Sequence, residues 1–245
     1  MTEQEFRVRR VVTSRAGGAS GGQYAAFNLA DHVGDDPAAV AANRGRLATA
    51  LGVPVRRIVW MDQVHGTEVR VVDGGQPAPL EGVDAVVTAE PGLALGVLVA
   101  DCVPVLLADA AVGVVAAVHA GRSGARDGVV RNAVEAMWRL GAEPGRTEAL
   151  LGPAICGGCY EVPADLQRAV EERLPGSASI TRRGTTGLDL RAGLAAQLAA
   201  LGVARVVADP RCTAEDPDLF SYRRDGVTGR QAGLIWIEPA PGTAR

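Results

Sequence analysis

A single mixed α and β domain without a doubly wound parallel sheet is the fold this sequence predicts, on three observations. Short apolar, β-branched runs alternate with Ala/Leu stretches of helical period, punctuated by frequent Gly and Pro. Three consecutive runs in the middle of the chain are almost wholly apolar, as expected where both faces of a sheet are covered. Their connections are only a few residues long, too short for helical crossovers, so these neighbours must pair antiparallel or pass between sheets. The 245 residues show no repeat and no linker-like stretch, which predicts one domain over 1–245.

Taken in order, strands are expected at 8–13, 57–60, 69–72, 84–88, 95–100, 103–108, 112–119, 148–151, 203–208 and 234–237. Four helices are expected. The first spans 37–51, with Asp36 as N-cap and Pro37 at the first helical position; the others fall near 127–140, 163–173 and 190–201. The Gly17–Gly22 loop and the Pro/Ala/Gly-rich tail after Glu238 read as a flexible loop and a frayed end.

Composition excludes several chemistries. All 25 basic residues are arginine, so there is no lysine for a Schiff base, a P-loop or a kinase-type ATP site, and any anion must be held by Arg or backbone N–H. Only His32, His65 and His119 are present, too few imidazoles for a multi-copper cluster within one chain. A net charge of −3 with scattered arginines points away from nucleic acid and anionic membrane as main partners. No apolar run is long enough to span a bilayer, and residues 1–7 lack a secretory pattern, so a cytoplasmic protein is expected. The cysteines Cys102, Cys156, Cys159 and Cys212 are then expected as thiols or ligands rather than structural disulfides.

Polar chemistry collects at strand ends. Trp60-Met61-Asp62-Gln63-Val64-His65-Gly66-Thr67 follows one strand, and Ala100-Asp101-Cys102-Val103-Pro104 inserts an acid and a thiol between two hydrocarbon strands. Val118-His119-Ala120-Gly121 ends a third strand and opens into a Gly-rich turn before a helix. If these ends converge, His65, Cys102 and His119 form a His₂Cys set with a fourth position open, the pattern of a catalytic zinc site. Taken singly, each also reads as structure: a hydrogen-bonded histidine, or a cysteine packed as a small hydrophobe. The turn from Gly121 to Gly128, with Arg122 and Arg126, reads either as an anion-binding strand-to-helix turn or as an ordinary one with solvated arginines.

Cys156-Gly157-Gly158-Cys159 suggests thiol redox chemistry or half a zinc knuckle, but it lies in a loop and Cys212 stands alone in sequence, which disfavours the redox reading. Phe220-Ser221-Tyr222-Arg223-Arg224-Asp225-Gly226 reads as a pocket wall or as a packed, salt-bridged turn.

Several further segments complete a recognisable series: Phe27-Asn28-Leu29 with His32-Val33-Gly34-Asp35-Asp36, Asn43-Arg44, Gly152-Pro153-Ala154-Ile155, Cys159-Tyr160-Glu161-Val162, Asp189-Leu190, Cys212-Thr213 and Thr228-Gly229-Arg230. With the strand-end motifs, these make the chain resemble, over almost its whole length, the YfiH-like laccase-domain family. Its members are also described as multicopper polyphenol oxidoreductases and as zinc-dependent purine nucleoside phosphorylases. The resemblance implies a single-domain α+β fold, a mixed β-sandwich flanked by helices, with zinc rather than copper held by His65, Cys102 and His119 as the catalytic group. It implies phosphorolysis of adenosine, inosine and 5′-methylthioadenosine to free base and ribose 1-phosphate, with adenosine deaminase activity besides. The partners so implied are purine nucleosides and phosphate, on a monomer or weak homo-oligomer. Asn28, Arg44, Gln63 and Arg122 are the first candidates for substrate and phosphate contacts.

Family members commonly have Trp-Arg-Gly after His-Ala-Gly, whereas this chain has Arg122-Ser123-Gly124, which removes an aromatic and moves an arginine one position earlier. Three other readings stand beside the phosphorylase. One is a copper-dependent phenol oxidase at the same ligands. Another is a cysteine hydrolase acting on cell-wall peptides or precursors, with Cys102 as nucleophile and His119 or His65 as base. The last is a purine sensor without turnover.

Overall fold

A computed structural model of the chain describes residues 6–239, so the tail expected to fray lies almost wholly outside the described residues. In chain order the elements are β1 (Val8–Val12), α1 (Pro37–Leu51), β2 (Ile58–Val59), β3 (Met61–Asp62), β4 (Val69–Val71), β5 (Leu80–Glu81), β6 (Ala85–Thr88), β7 (Ala94–Val99), β8 (Val103–Asp109) and β9 (Val114–Ala120). They continue as α2 (Arg122–Asp127), α3 (Val129–Arg139), β10 (Glu148–Leu151), α4 (Ala164–Glu171), β11 (Ala178–Ile180), β12 (Thr186–Leu188), α5 (Leu190–Ala200), β13 (Arg205–Ala208), α6 (Tyr222–Asp225) and β14 (Gln231–Ile237).

Two mixed sheets stack face to face. One has the order β1-β14-β7-β2 and the other β13-β10-β8-β9-β6-β4, with β11-β12 and β3-β5 as small accessory pairs. Both alternatives expected of the central strands occur. β8 and β9 form an antiparallel hairpin from Val103↔Ala120 to Asp109↔Val114, whereas β7 and β8 belong to different sheets, so the chain changes layer between them.

The layers explain why these strands read as hydrocarbon with no alternation. Leu106 and Ala108 of β8 face Leu95, Val97 and Val99 of β7 across the sandwich, while Val103, Val105 and Leu107 face α3 and α5. On the far side, Leu98, Leu234 and Trp236 pack under Leu47 and Ala48 of α1. Helix, sheet, sheet and helices thus form one continuous stack. Each fully buried aliphatic side chain contributes roughly 1.5–3 kcal/mol of transfer free energy.

α1 has the expected bounds: Asp36 accepts from the Ala38 amide, and Gly52 closes the helix in the left-handed region. The helix expected near 127–140 is α3, and the Gly-rich turn expected before it folds instead as the short helix α2, set off from α3 by Gly128 at φ 102°. The strand expected at 57–60 is shorter, β2 at 58–59 paired with β7, and a further short strand, β3, follows it and pairs with β5. Among the described residues no helix is long and apolar enough to cross a membrane.

Candidate metal centre and substrate cavity

The layer change between β7 and β8 places Ala100-Asp101-Cys102 at the mouth of the sandwich. Asp101 holds this crossing at φ 94°, a conformation that costs a non-glycine residue about 1–3 kcal/mol unless its surroundings impose it. They do. Its Oδ1 accepts from Thr213 Oγ1 at 2.6 Å and Ser221 Oγ at 2.7 Å, and its Oδ2 accepts from the Arg223 amide at 2.6 Å. One carboxylate therefore ties the crossing to two distant loops and fixes where the Cys102 thiol emerges.

His65 has positive φ too, at 61°, in the loop after β3. Asp84, fully buried at the head of β6, accepts from the amides of Val64, His65 and Gly66 at 3.2, 3.0 and 2.7 Å. The same carboxylate bonds His119 Nδ1 at 2.7 Å, and the Asp84 carbonyl accepts from the His119 amide at 2.7 Å. Asp84 thus shapes the His65 loop and orients the His119 ring, leaving His119 Nε2 as its free nitrogen. The sequence reading did not single out Asp84. Its signal was a carboxylate heading the otherwise apolar run 84–88.

Donor atoms of His65, Cys102 and His119 all lie within 4.8 Å of one another. Cys102 Sγ is 3.7 Å from His65 Nε2, and the two imidazole rings meet edge to face with centroids 4.7 Å apart. Burial pushes the Cys102 thiol up, but the facing His119 charge and hydrogen bonds from both histidines outweigh it and hold the thiol well below its ordinary value. In His119 burial favours the neutral ring, and the Cys102 thiolate with Asp84 outweighs burial and raises it. Burial likewise raises Asp84, and donation by His119 and by the Gly66 and Val64 amides brings it below the usual carboxylate range.

The cluster forms the floor of a cavity of about 480 Å³, in the range of small-molecule sites. All three histidines of the chain line it, His32 outside the donor cluster. Gln63 and Arg122 line it as well, although the Gln63 amide is engaged in a reciprocal pair with the Leu98 backbone, 2.8 Å each way. Asn28 and Arg44 do not line the cavity. Asn28 is fully buried and accepts from the Arg230 amide at 2.9 Å, while Arg44 pairs with Asp31 at 3.1 Å and lies over Trp60. Both stand behind wall residues, Arg230 and His32. Arg126 is committed to Asp127 through two bonds of 2.9 and 2.7 Å.

Arg223, from the segment read as a pocket wall, and Arg230, which is not among the contact candidates, line the same cavity as Arg122. Arg223 stacks over the Tyr160 ring at 5.0 Å, and Arg230 is fixed by the Thr228 and Gly229 carbonyls at 2.8 and 3.0 Å. Both readings of the 220–226 segment hold: Tyr222 and Arg223 form wall, while Arg224 pairs with Asp225 at 2.8 Å and Phe220 is buried.

Comparison with known proteins agrees with this architecture. The family described as multi-copper polyphenol oxidoreductase laccase matches residues 9–238. The chain belongs to that family. A purine nucleoside phosphorylase of Mycobacterium tuberculosis is 59% identical over 232 residues, which cover 95% of this chain and 93% of that protein. Among solved structures, YlmD from Geobacillus stearothermophilus superposes with a TM-score of 0.88 at 34% identity, covering 95% of this chain and 92% of that one. The hypothetical protein YfiH of Bacillus licheniformis gives 0.88 at 29% identity, covering 94% and 93%.

In this laccase-family chain the donor set suits a transition-metal ion. A thiol already biased toward thiolate and two imidazoles make three ligands, and a buried carboxylate behind His119 is the partner that fixes a ligating ring. The approach of the following loop is as tight as the cluster: a Cβ at Gly121 would lie 2.4 Å from His65 Cδ2 and 3.3 Å from Cys102 Sγ. Gly121→Ala is therefore expected to displace the His65 ring and reduce turnover about 10²-fold, a loss typical of misplacement near 1 Å. Metal affinity and kcat measured together with the melting temperature check this, since loss confined to stability would contradict it.

Proposed function

We propose that the protein is a zinc-dependent purine nucleoside phosphorylase that also deaminates adenosine. The observation that carries this reading is the meeting, in one nucleoside-sized cavity, of a three-donor metal cluster with the guanidinium groups of Arg122, Arg223 and Arg230. Phenol oxidation has no use for such an anion site, and the third histidine, His32, stands apart from the cluster, so no multi-copper set of imidazoles is assembled here. Relatives named purine nucleoside phosphorylase support the same substrates, nucleosides and phosphate.

Phosphorolysis breaks the C1′–N9 bond with its electron pair going to the base, and a phosphate oxygen forms the new bond to C1′. In a lysine-free chain the arginine forks are what can hold that phosphate, and they also favour its dianion beside the developing positive charge at C1′. Asp101 and Asn28 keep Arg223 and Arg230 in place through their backbone amides. Tyr160 and Tyr222 offer ring faces that shield the sugar and base from water. Zinc held by His65, Cys102 and His119 would supply Lewis-acid polarisation and, for deamination, activation of water.

Incubation of zinc-loaded protein with inosine tests the reading. Hypoxanthine and ribose 1-phosphate should form in equal amounts and only with phosphate present, and Arg122→Ala should raise the KM for phosphate about tenfold or more. Hypoxanthine release without phosphate would overturn it. A second reading has one observation in its favour: Cys102, His119 and Asp84 are arranged as nucleophile, base and orienting carboxylate. Full hydrolytic turnover after complete metal removal, with an acyl group trapped on Cys102, would select that reading instead.

A further inference from the structure

The C-x-x-C pair has partners that its sequence context hides. An isolated parallel bridge between Ala154 and Cys212 joins the loop after β10 to the segment after β13, and it brings Cys212 and Glu215 onto the pair. The sulfurs of Cys156, Cys159 and Cys212 and a carboxylate oxygen of Glu215 all lie within 4.8 Å of one another. None of these thiols is in a disulfide. The Cys156 amide donates to Cys212 Sγ at 3.3 Å, and the Cys159 thiol donates to Glu215 Oε1 at 3.0 Å. The turn itself is closed by the Cys159 and Tyr160 amides, which donate to the Cys156 carbonyl at 2.9 and 3.0 Å.

We propose that Cys156, Cys159, Cys212 and Glu215 form a closed, four-coordinate structural zinc site, separate from His65, Cys102 and His119. Two residues between the first cysteines is the spacing by which a tight turn supplies two corners of a tetrahedron, and Cys212 with Glu215 supplies the other two. A disulfide would use only two of the four donors and leave an odd thiol beside a carboxylate. A dication bound at the common point would take the thiolates directly. Three thiolates and a carboxylate leave such a centre anionic, and Arg182, which pairs with Glu215 and lies 3.8 Å from Cys159 Sγ, offsets part of that charge.

With every corner filled by protein, the site has no open position for substrate, so its effect is mechanical. Ile155 and Tyr160 flank the pair and line the cavity, and Thr213, next to Cys212, donates to Asp101 at the layer change. An ion here staples together two loops that make one cavity wall. The inference does not depend on the nucleoside reaction.

Metal content per chain and zinc-edge X-ray absorption of the full-length, zinc-loaded protein test it. The wild type should carry about two zinc ions, with an average of about two sulfur ligands each near 2.3 Å, since Cys102 supplies one sulfur and this site three. Cys102→Ala should retain about one zinc with about three sulfurs, and the double variant Cys156→Ser/Cys159→Ser about one zinc with about one sulfur. A wild type holding a single three-sulfur zinc would support this site and count against the other, which keeps the two ideas distinguishable. A wild-type average of about one sulfur per zinc would overturn the proposal, as would two thiols missing when the denatured, metal-free chain is titrated. Should the double variant fail to fold, the wild-type sulfur count decides.

Discussion

Cys102→Ala is expected to abolish phosphate-dependent nucleoside cleavage, with kcat falling by about 10³-fold or more. Cys102 is the one donor of the three that can carry a negative charge, and without it two neutral imidazoles must hold a dication. Cys102→Ser should fail similarly, because a hydroxyl does not ionise under the influence that holds this thiol down. The fold should survive, since the side chain is partly exposed at a loop and its hydrogen-bond partners are the two histidines of the cluster. The arginines are untouched, so binding of nucleoside and phosphate should weaken far less than turnover. A Cys102→Ala protein that still forms ribose 1-phosphate at a comparable rate would remove the metal cluster from the reaction.

Asp84→Ala is expected to damage both stability and metal binding. Its carboxylate is fully buried and serves three loop amides together with His119, so deletion leaves several donors unpaired in the interior. Breaking a buried charged partnership of this kind costs about 3–5 kcal/mol, readable as a lower urea midpoint with the slope unchanged. His65 would lose the contacts that hold it at positive φ, and His119 the partner that fixes its ring. Zinc affinity should therefore fall about 10- to 100-fold even under conditions where the chain remains folded. Asp84→Asn separates the two effects: it keeps the volume but has one acceptor oxygen where the carboxylate has two. Unchanged zinc affinity in Asp84→Asn would show that orientation of the ligands does not depend on this residue.

Much of the architecture was legible because its signals are local or compositional. The uniform apolarity of β7, β8 and β9 reported coverage on both faces, and their short connections excluded crossovers, whereas the sandwich flanked by helices was implied by the family resemblance. Asp36 and Pro37 marked the start of α1 by capping chemistry alone. Accessory strands such as β5, β11 and β12 were not legible, since two or three residues carry no periodicity. Nor was α2, because the glycines at 121, 124 and 128 read as a turn rather than as a helical segment.

The site divides along the same line. His65, Cys102 and His119 stood out because polar atoms at the ends of hydrocarbon strands need a reason, and the fold brings all three together. Asp84 looked like an ordinary strand acid, and Asp101 stood out beside Cys102 without a role, because their partners lie as far as 122 residues away along the chain. Asn28 and Arg44 were chosen through resemblance, and the structure places them one layer behind the wall, where Arg230 and His32 meet the cavity instead. Cys212 seemed solitary in sequence for the same reason that Glu215 went unnoticed: their neighbours, Cys156 and Cys159, are 56 residues away.

Anomalous diffraction at the zinc edge from crystals of the zinc-loaded protein tests the central claim most directly. The account expects an ion bonded by the ring nitrogens of His65 and His119 at about 2.0–2.1 Å and by Cys102 Sγ at about 2.3 Å, with its remaining position open toward Arg122. Absence of an ion there in zinc-replete crystals, with the three side chains in the arrangement described above, would contradict it.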